Sequence, residues 1–131
     1  MACKKALEES GGDYKKAFLL VKKKGLDKAQ EKKERATKEG YVATYTHATG
    51  KVGAMVSLLC ETDFVSRSPD FKKLASEICL QVSAMNPKNV KSLLKQDYIR
   101  EPEKKVSHLI DEAIAKFGEN IQIGDFKRIS I

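Results

Sequence analysis

The rhythm of apolar positions changes at Gly40. Before it, Tyr14, Ala17, Phe18 and Val21 recur at i, i+3, i+4 and i+7, the stripe of an amphipathic helix opened by Asp13 and closed by Gly25. Lys22, Lys23 and Lys24 fill its last turn, where cations suit the helix dipole. An earlier helix, Met1 to Ser10, halts at Gly11-Gly12. A later one, from about Asp27 to Lys38, carries only Ala29 and Ala36 as small apolar residues and reads as a solvated connector. After Gly40 the period shortens to two. Tyr41-Val42-Ala43-Thr44-Tyr45-Thr46 is β-branched and aromatic, Thr49-Gly50 marks a turn, and Val52, Ala54, Val56 and Leu58 alternate. This pattern predicts a β-hairpin.

Helical period returns after Ser68, a good N-cap followed by Pro69 and Asp70. Phe71, Leu74, Ala75, Ile78, Val82 and Met85 form one stripe, which Asn86-Pro87 ends. Residues 88–95 read as a short helix and Gln96 to Pro102 as a loop. A further helix runs from about Pro102 to Phe117, with Val106, Leu109, Ile110, Ala113, Ile114 and Phe117 on its apolar side and Gly118 as its stop. Ile121 to Ile131 reads as a closing strand, and Gly124 in mid-run marks a bulge or a close backbone approach. The expected fold class is α+β. Its body is a small three-stranded antiparallel sheet, β-β-α-α-β, with helices on one face. A basic helical module occupies residues 1–38, and the core domain residues 39–131.

Composition narrows the classes. A chain of 131 residues, 41% hydrophobic and 33% charged, supports one modest core. It has no apolar run of membrane-spanning length and no secretory signal pattern, so a cytoplasmic protein without membrane attachment is expected. Three cysteines with no C-x-x-C pair, and two histidines far apart, argue against a disulfide framework or a zinc site. Neither a metal nor a cofactor is expected. The net charge of +7 is uneven, because residues 1–38 hold 12 of the 25 Lys/Arg but only 6 of the 18 Asp/Glu. The lysine pairs there lack the aromatic motif of RNA-recognition modules, so a protein-docking or solvated face is favoured over specific nucleic-acid binding. A basic RNA- or ribosome-binding structural protein stays as the alternative class.

Enzymatic arrangements fail on spacing. His47 and Cys60 share the hairpin but lie several residue pairs apart, too far for a dyad at about 3.3 Å per residue. Glu61 and Asp63 alternate and so point roughly the same way, without a histidine placed beside them. Gly50-Lys51-Val52-Gly53 is a hairpin turn and precedes no helix, as a phosphate loop must. No enzyme is expected. What remains is the corner Cys60-Glu61-Thr62-Asp63-Phe64-Val65, where an apolar strand halts at an acid and an aromatic. On composition alone Thr62 and Asp63 read as turn residues and Phe64 as a core residue returning toward the helix. A ring presented outward is the other reading.

Three stretches together resemble the elongation factor Ts family. Cys3-Lys4-Lys5-Ala6-Leu7-Glu8-Glu9 with Gly11-Gly12-Asp13 is similar to its ubiquitin-associated-like N-terminal module. Cys60-Glu61-Thr62-Asp63-Phe64-Val65-Ser66-Arg67 is similar to its most distinctive motif, and Gly118-Glu119-Asn120-Ile121 to the segment opening its last core strand. The resemblance implies a guanine-nucleotide exchange factor that binds elongation factor Tu. Asp63 and Phe64 would push toward Tu's magnesium site, Thr62 and Val65 would shape that tip, and Lys4 and Lys5 would belong to a second docking surface. Met1 stands where the module's second helix begins, so that module is expected to lack its first helix. The chain carries one core copy where longer members carry two, and a homodimer is the expected way to restore the second half.

Overall fold

The computed structural model describes residues 32–131. The helical module, including Lys4 and Lys5, therefore lies outside the described residues. Among the described residues of the connector, only Lys32 is helical, and residues 33–38 run as a turn, a bend and irregular chain. This corrects the expectation of a helix to Lys38. These residues spend their polar groups on the core: the Asn120 amide donates to the carbonyls of Lys33 (3.1 Å) and Arg35 (2.6 Å), and Lys33 pairs with Asp111 at 3.0 Å.

Strands β1 (Glu39–Thr46) and β2 (Val52–Cys60) form the expected hairpin, with Ala43 opposite Val56 and Glu39 opposite Cys60. Strand β5 (Gln122–Ser130) pairs with the other edge of β2, giving an antiparallel order β1-β2-β5. Ala43, Val56, Leu58, Cys60 and Ile123 turn to one face and are buried. The ladder slips between Val56 and Leu58. There Ser57 Oγ accepts from Asp125 N–H at 2.8 Å, and a Cβ on Gly124 would run into that hydroxyl. Only glycine permits the close approach, as expected of a bulge.

The buried face is covered by α2 (Pro69–Met85), which packs on β1 and β2. Ser68 caps it by accepting from Phe71 N–H, Pro69 takes the first turn, and Asn86 ends it in the left-handed region at φ 46°. Phe71, Ala75, Ile78, Cys79 and Val82 are buried along it, while Met85 is half exposed at the end. A short helix α3 (Val90–Lys95) and a longer α4 (Val106–Phe117) complete the layer, with Leu93, Val106, Ile110 and Ile114 in the core.

Two corrections concern the segment between them. Residues 97–105, expected as loop and first helical turn, form a second hairpin of β3 (Asp97–Tyr98) and β4 (Glu101–Lys105), so α4 begins at Val106 and not near Pro102. The body is thus more than β-β-α-α-β. The hairpin has no apolar alternation of its own, and a fully buried Gln81 holds it instead. Its amide donates to Gln96 Oε1 (3.1 Å) and Asp97 O (3.0 Å) and accepts from Ile99 N–H (3.0 Å). A buried amide with all these partners is satisfied, and a periodicity reading gives no sign of it.

Candidate functional site

Strand β2 ends at Cys60, and the chain then passes through Glu61 and the cap Thr62 into a one-turn helix α1 (Asp63–Ser66). Thr62 is extended (φ −126°, ψ 154°), and its hydroxyl accepts from Val65 N–H at 3.4 Å. The turn closes through Ser66 N–H to Thr62 O (3.2 Å) and Arg67 N–H to Asp63 O (3.0 Å). Ser66 Oγ donates to Asp63 O and Ser68 Oγ to Val65 O, so the carbonyls of so short a helix find partners.

One residue per turn faces each way. Val65 is only 7% exposed and joins the core, while Phe64 is 85% exposed. The outward reading of the ring is the one that holds. Asp63 stands beside it on the surface and pairs loosely with Arg67 at 3.6 Å. Thr62 is exposed at the base of the turn. Of the four tip residues, Asp63 and Phe64 project, and Thr62 and Val65 fix the backbone that carries them.

The base is fastened from the far end of the chain. Glu119, in the turn between α4 and β5, accepts from Glu61 N–H (3.1 Å), Thr62 N–H (3.0 Å) and Thr62 Oγ1 (2.6 Å). The Glu61 carboxylate returns the contact by accepting from Asn120 N–H at 2.6 Å, and Arg35 lies 3.8 Å from it. Glu61 thus turns inward while Asp63 faces solvent. This corrects the expectation that the two acids point the same way: strand alternation ends at Cys60, and α1 imposes a helical direction on Asp63. Below them the Cys60 thiol donates to Thr62 O at 3.2 Å. Burial, and next the nearby Glu119 carboxylate, push that thiol up to about 11, so it keeps its proton at neutral pH.

No group of three His, Cys, Asp or Glu residues is placed to hold a metal ion among the described residues. No helix among them is long and apolar enough to cross a membrane. His47 hydrogen-bonds Tyr45 at the hairpin turn, and His108 Nδ1 accepts from Lys105 N–H at the start of α4. A cleft of about 340 Å³ between α3, α4 and the start of β5 contains none of the tip residues. The chemistry on offer at the corner is that of contact: an aromatic ring and a carboxylate held out on a fixed turn.

The fold and the corner define an α+β domain that presents a single exposed ring on a clamped strand end. A family model described as Elongation factor TS matches residues 61–131, beginning at the corner itself. The chain is 37% identical over 175 residues to elongation factor Ts of Thermodesulfovibrio yellowstonii, covering 100% of this chain and 87% of that one. It is 38% identical to elongation factor Ts of Leptospira biflexa, covering 100% and 89%. Against elongation factor Ts of Thermotoga neapolitana it is 37% identical, covering 98% and 87%. The chain belongs to the elongation factor Ts family of translation elongation factors. The match to the first relative spans 175 positions where this chain has 131 residues, so that relative carries residues with no counterpart here.

Proposed function

We propose that this protein is a guanine-nucleotide exchange factor, itself not an enzyme, that binds elongation factor Tu in the cytoplasm and speeds release of GDP. The observation that carries the reading is Phe64, 85% exposed on a turn whose every flank is hydrogen-bonded, inside the motif most distinctive of the family. A phenyl ring left in water gains about 2 kcal/mol on burial in a partner. The fixed turn means that little conformational entropy is lost in using it.

A GTPase holds GDP through phosphate contacts and Mg²⁺, and its switch segments depend on both. A ring wedged beside that site, with the Asp63 carboxylate adding negative charge near the ion's ligands, binds the disturbed, ion-depleted pocket better than the GDP-filled one. Linkage then requires that the factor weaken GDP binding by the same factor as GDP weakens the factor's. Lys4 and Lys5 would add a second docking surface on Tu.

The proposal extends to a homodimer. The outward face of the sheet leaves Val42, Met55 and Ile129 exposed on neighbouring strands, a surface that a second copy would cover.

The decisive experiment is capture of purified Tu on this protein with and without excess GDP, combined with release of labelled GDP from Tu. An exchange factor binds Tu, lets go when GDP is added, and accelerates release. Binding to RNA that falls steeply with salt, with no nucleotide-sensitive capture of Tu, would instead mark a basic RNA-binding protein.

A further inference from the structure

Glu119 and Asn120 lie 57 to 59 residues from their partners Glu61 and Thr62 in sequence, yet they supply much of the bonding at the tip's base. The contact is reciprocal. Glu119 accepts the N–H of Glu61, and Glu61 accepts the N–H of Asn120, so each carboxylate closes the other segment's loose backbone. The remaining Glu119 bonds go to Thr62, whose hydroxyl is shared between Glu119 Oε2 and Val65 N–H. One side chain therefore reaches the backbone on the near side of the cap and, through the cap's hydroxyl, the first turn of α1.

The bonds differ in kind from those that fold the domain. Val65 sits in the core and Ser66 and Ser68 close their own turn, so α1 forms without Glu119. At the strand end the local bonds, from the Cys60 thiol and Ser66 N–H to Thr62 O and from Val65 N–H to the Thr62 hydroxyl, use Thr62 only as an acceptor. Among the described residues, the Glu61 and Thr62 N–H groups are met by Glu119 alone. Glu61 N–H and Thr62 N–H point away from the ladder, and without Glu119 they turn to water. The expected result is a folded domain whose tip swings about the strand end. Charge-assisted bonds to a carboxylate are the stronger class of protein hydrogen bond, which suits this use.

We propose that Glu119 is a positioning residue for exchange: it acts through the Thr62 cap to aim Phe64, touching neither Tu nor nucleotide. The proposal rests on the exchange-factor reading above and adds to it the part that sets the ring's direction.

The test is a double-mutant cycle on the full chain with Phe64→Ala and Glu119→Ala, read as maximal GDP release from Tu and the concentration of this protein giving half that rate. Amide hydrogen exchange at Glu61 and Thr62 is measured alongside. Glu119→Ala should lower the maximal rate about tenfold, the order of loss for bonds to a charged group. It should quicken amide exchange at Glu61 and Thr62 while leaving that of the β2 ladder unchanged. In the Phe64→Ala background the same change should cost little, because the ring it aims is gone. Glu119→Gln, which keeps an acceptor for the two N–H groups, should recover most of the rate. If Glu119→Ala unfolds the domain, Thr62→Val carries the same cycle, since it removes only the shared hydroxyl.

Equal losses from Glu119→Ala with and without the ring, or unchanged amide exchange at Glu61 and Thr62, would overturn the positioning role. If wild type accelerates release and Phe64→Ala slows it but Glu119→Ala does not, this proposal alone fails. If wild type leaves GDP release unaltered, the exchange reading fails and the proposal falls with it.

Discussion

The corner at the end of β2 and the outward face of the sheet both show apolar side chains to water, but they do so in opposite ways. At the corner one ring projects from a turn tied by Glu119, Ser66, Ser68 and the Cys60 thiol. On the face, Val42, Met55 and Ile129 lie on a flat ladder with ordinary strand bonds beneath them. A projecting ring on a stiff base can enter a partner's cleft, whereas a flat face can only be covered. Exposure alone does not make the difference, since Ile129 at 73% comes close to Phe64 at 85%; backbone fastening does.

Mutations can separate the two surfaces. Phe64→Ala should have the largest effect on exchange, slowing GDP release about thirtyfold, as the loss of an aromatic anchor worth about 2 kcal/mol does. Its thermal midpoint should stay at the wild-type value because the ring is exposed and forms no part of the core. Release as fast as wild type would remove the wedge. Val65→Ala should instead lower unfolding free energy by about 2 kcal/mol through the cavity beneath the tip, measured by denaturant titration. Exchange should fall only as far as the tip loosens. Asp63→Ala should slow release by less than about fivefold, since its charge is exposed and screened. A series of magnesium concentrations tests this, and unchanged or faster release throughout would discard its role. Met55→Asp should leave the exchange rate per bound molecule unaltered while shifting sedimentation toward the monomer. A drop in exchange with no change in mass would mean that the face, too, touches Tu.

The smallest effect concerns pH. Burial raises the Cys60 thiol from 9.0 to about 11, so folding favours its protonated form. That stabilising contribution is fully present below pH 9 and is lost as pH rises from 9 toward 11. Cys60→Ala should therefore lose less stability than wild type across that interval, measured by urea titration at each pH.

Much of the frame was legible from residue order. Period-two alternation marked β1 and β2, and Ser68-Pro69 and Asn86 bounded α2 to the residue. Gly124 announced the slip opposite Ser57. These signals are local, so they survive without a structure. The second hairpin was missed because Asp97–Lys105 is charged and contains Pro102, and its support comes from Gln81 on another element. At the corner, composition favoured a buried Phe64, and only the family motif favoured an exposed one. Glu119 carried no signal beyond its place in a family-like segment.

The sequence by itself determined the sheet's strands, the main helices and the family, because each depends on neighbouring residues or on a short motif. Tertiary structure decided which way Phe64 points and what holds it there. That outcome depends on Val65 finding the core and on Glu119 meeting Thr62 across 57 residues of chain. A side chain's direction at a strand end is set by such long-range contacts, and no local pattern encodes them.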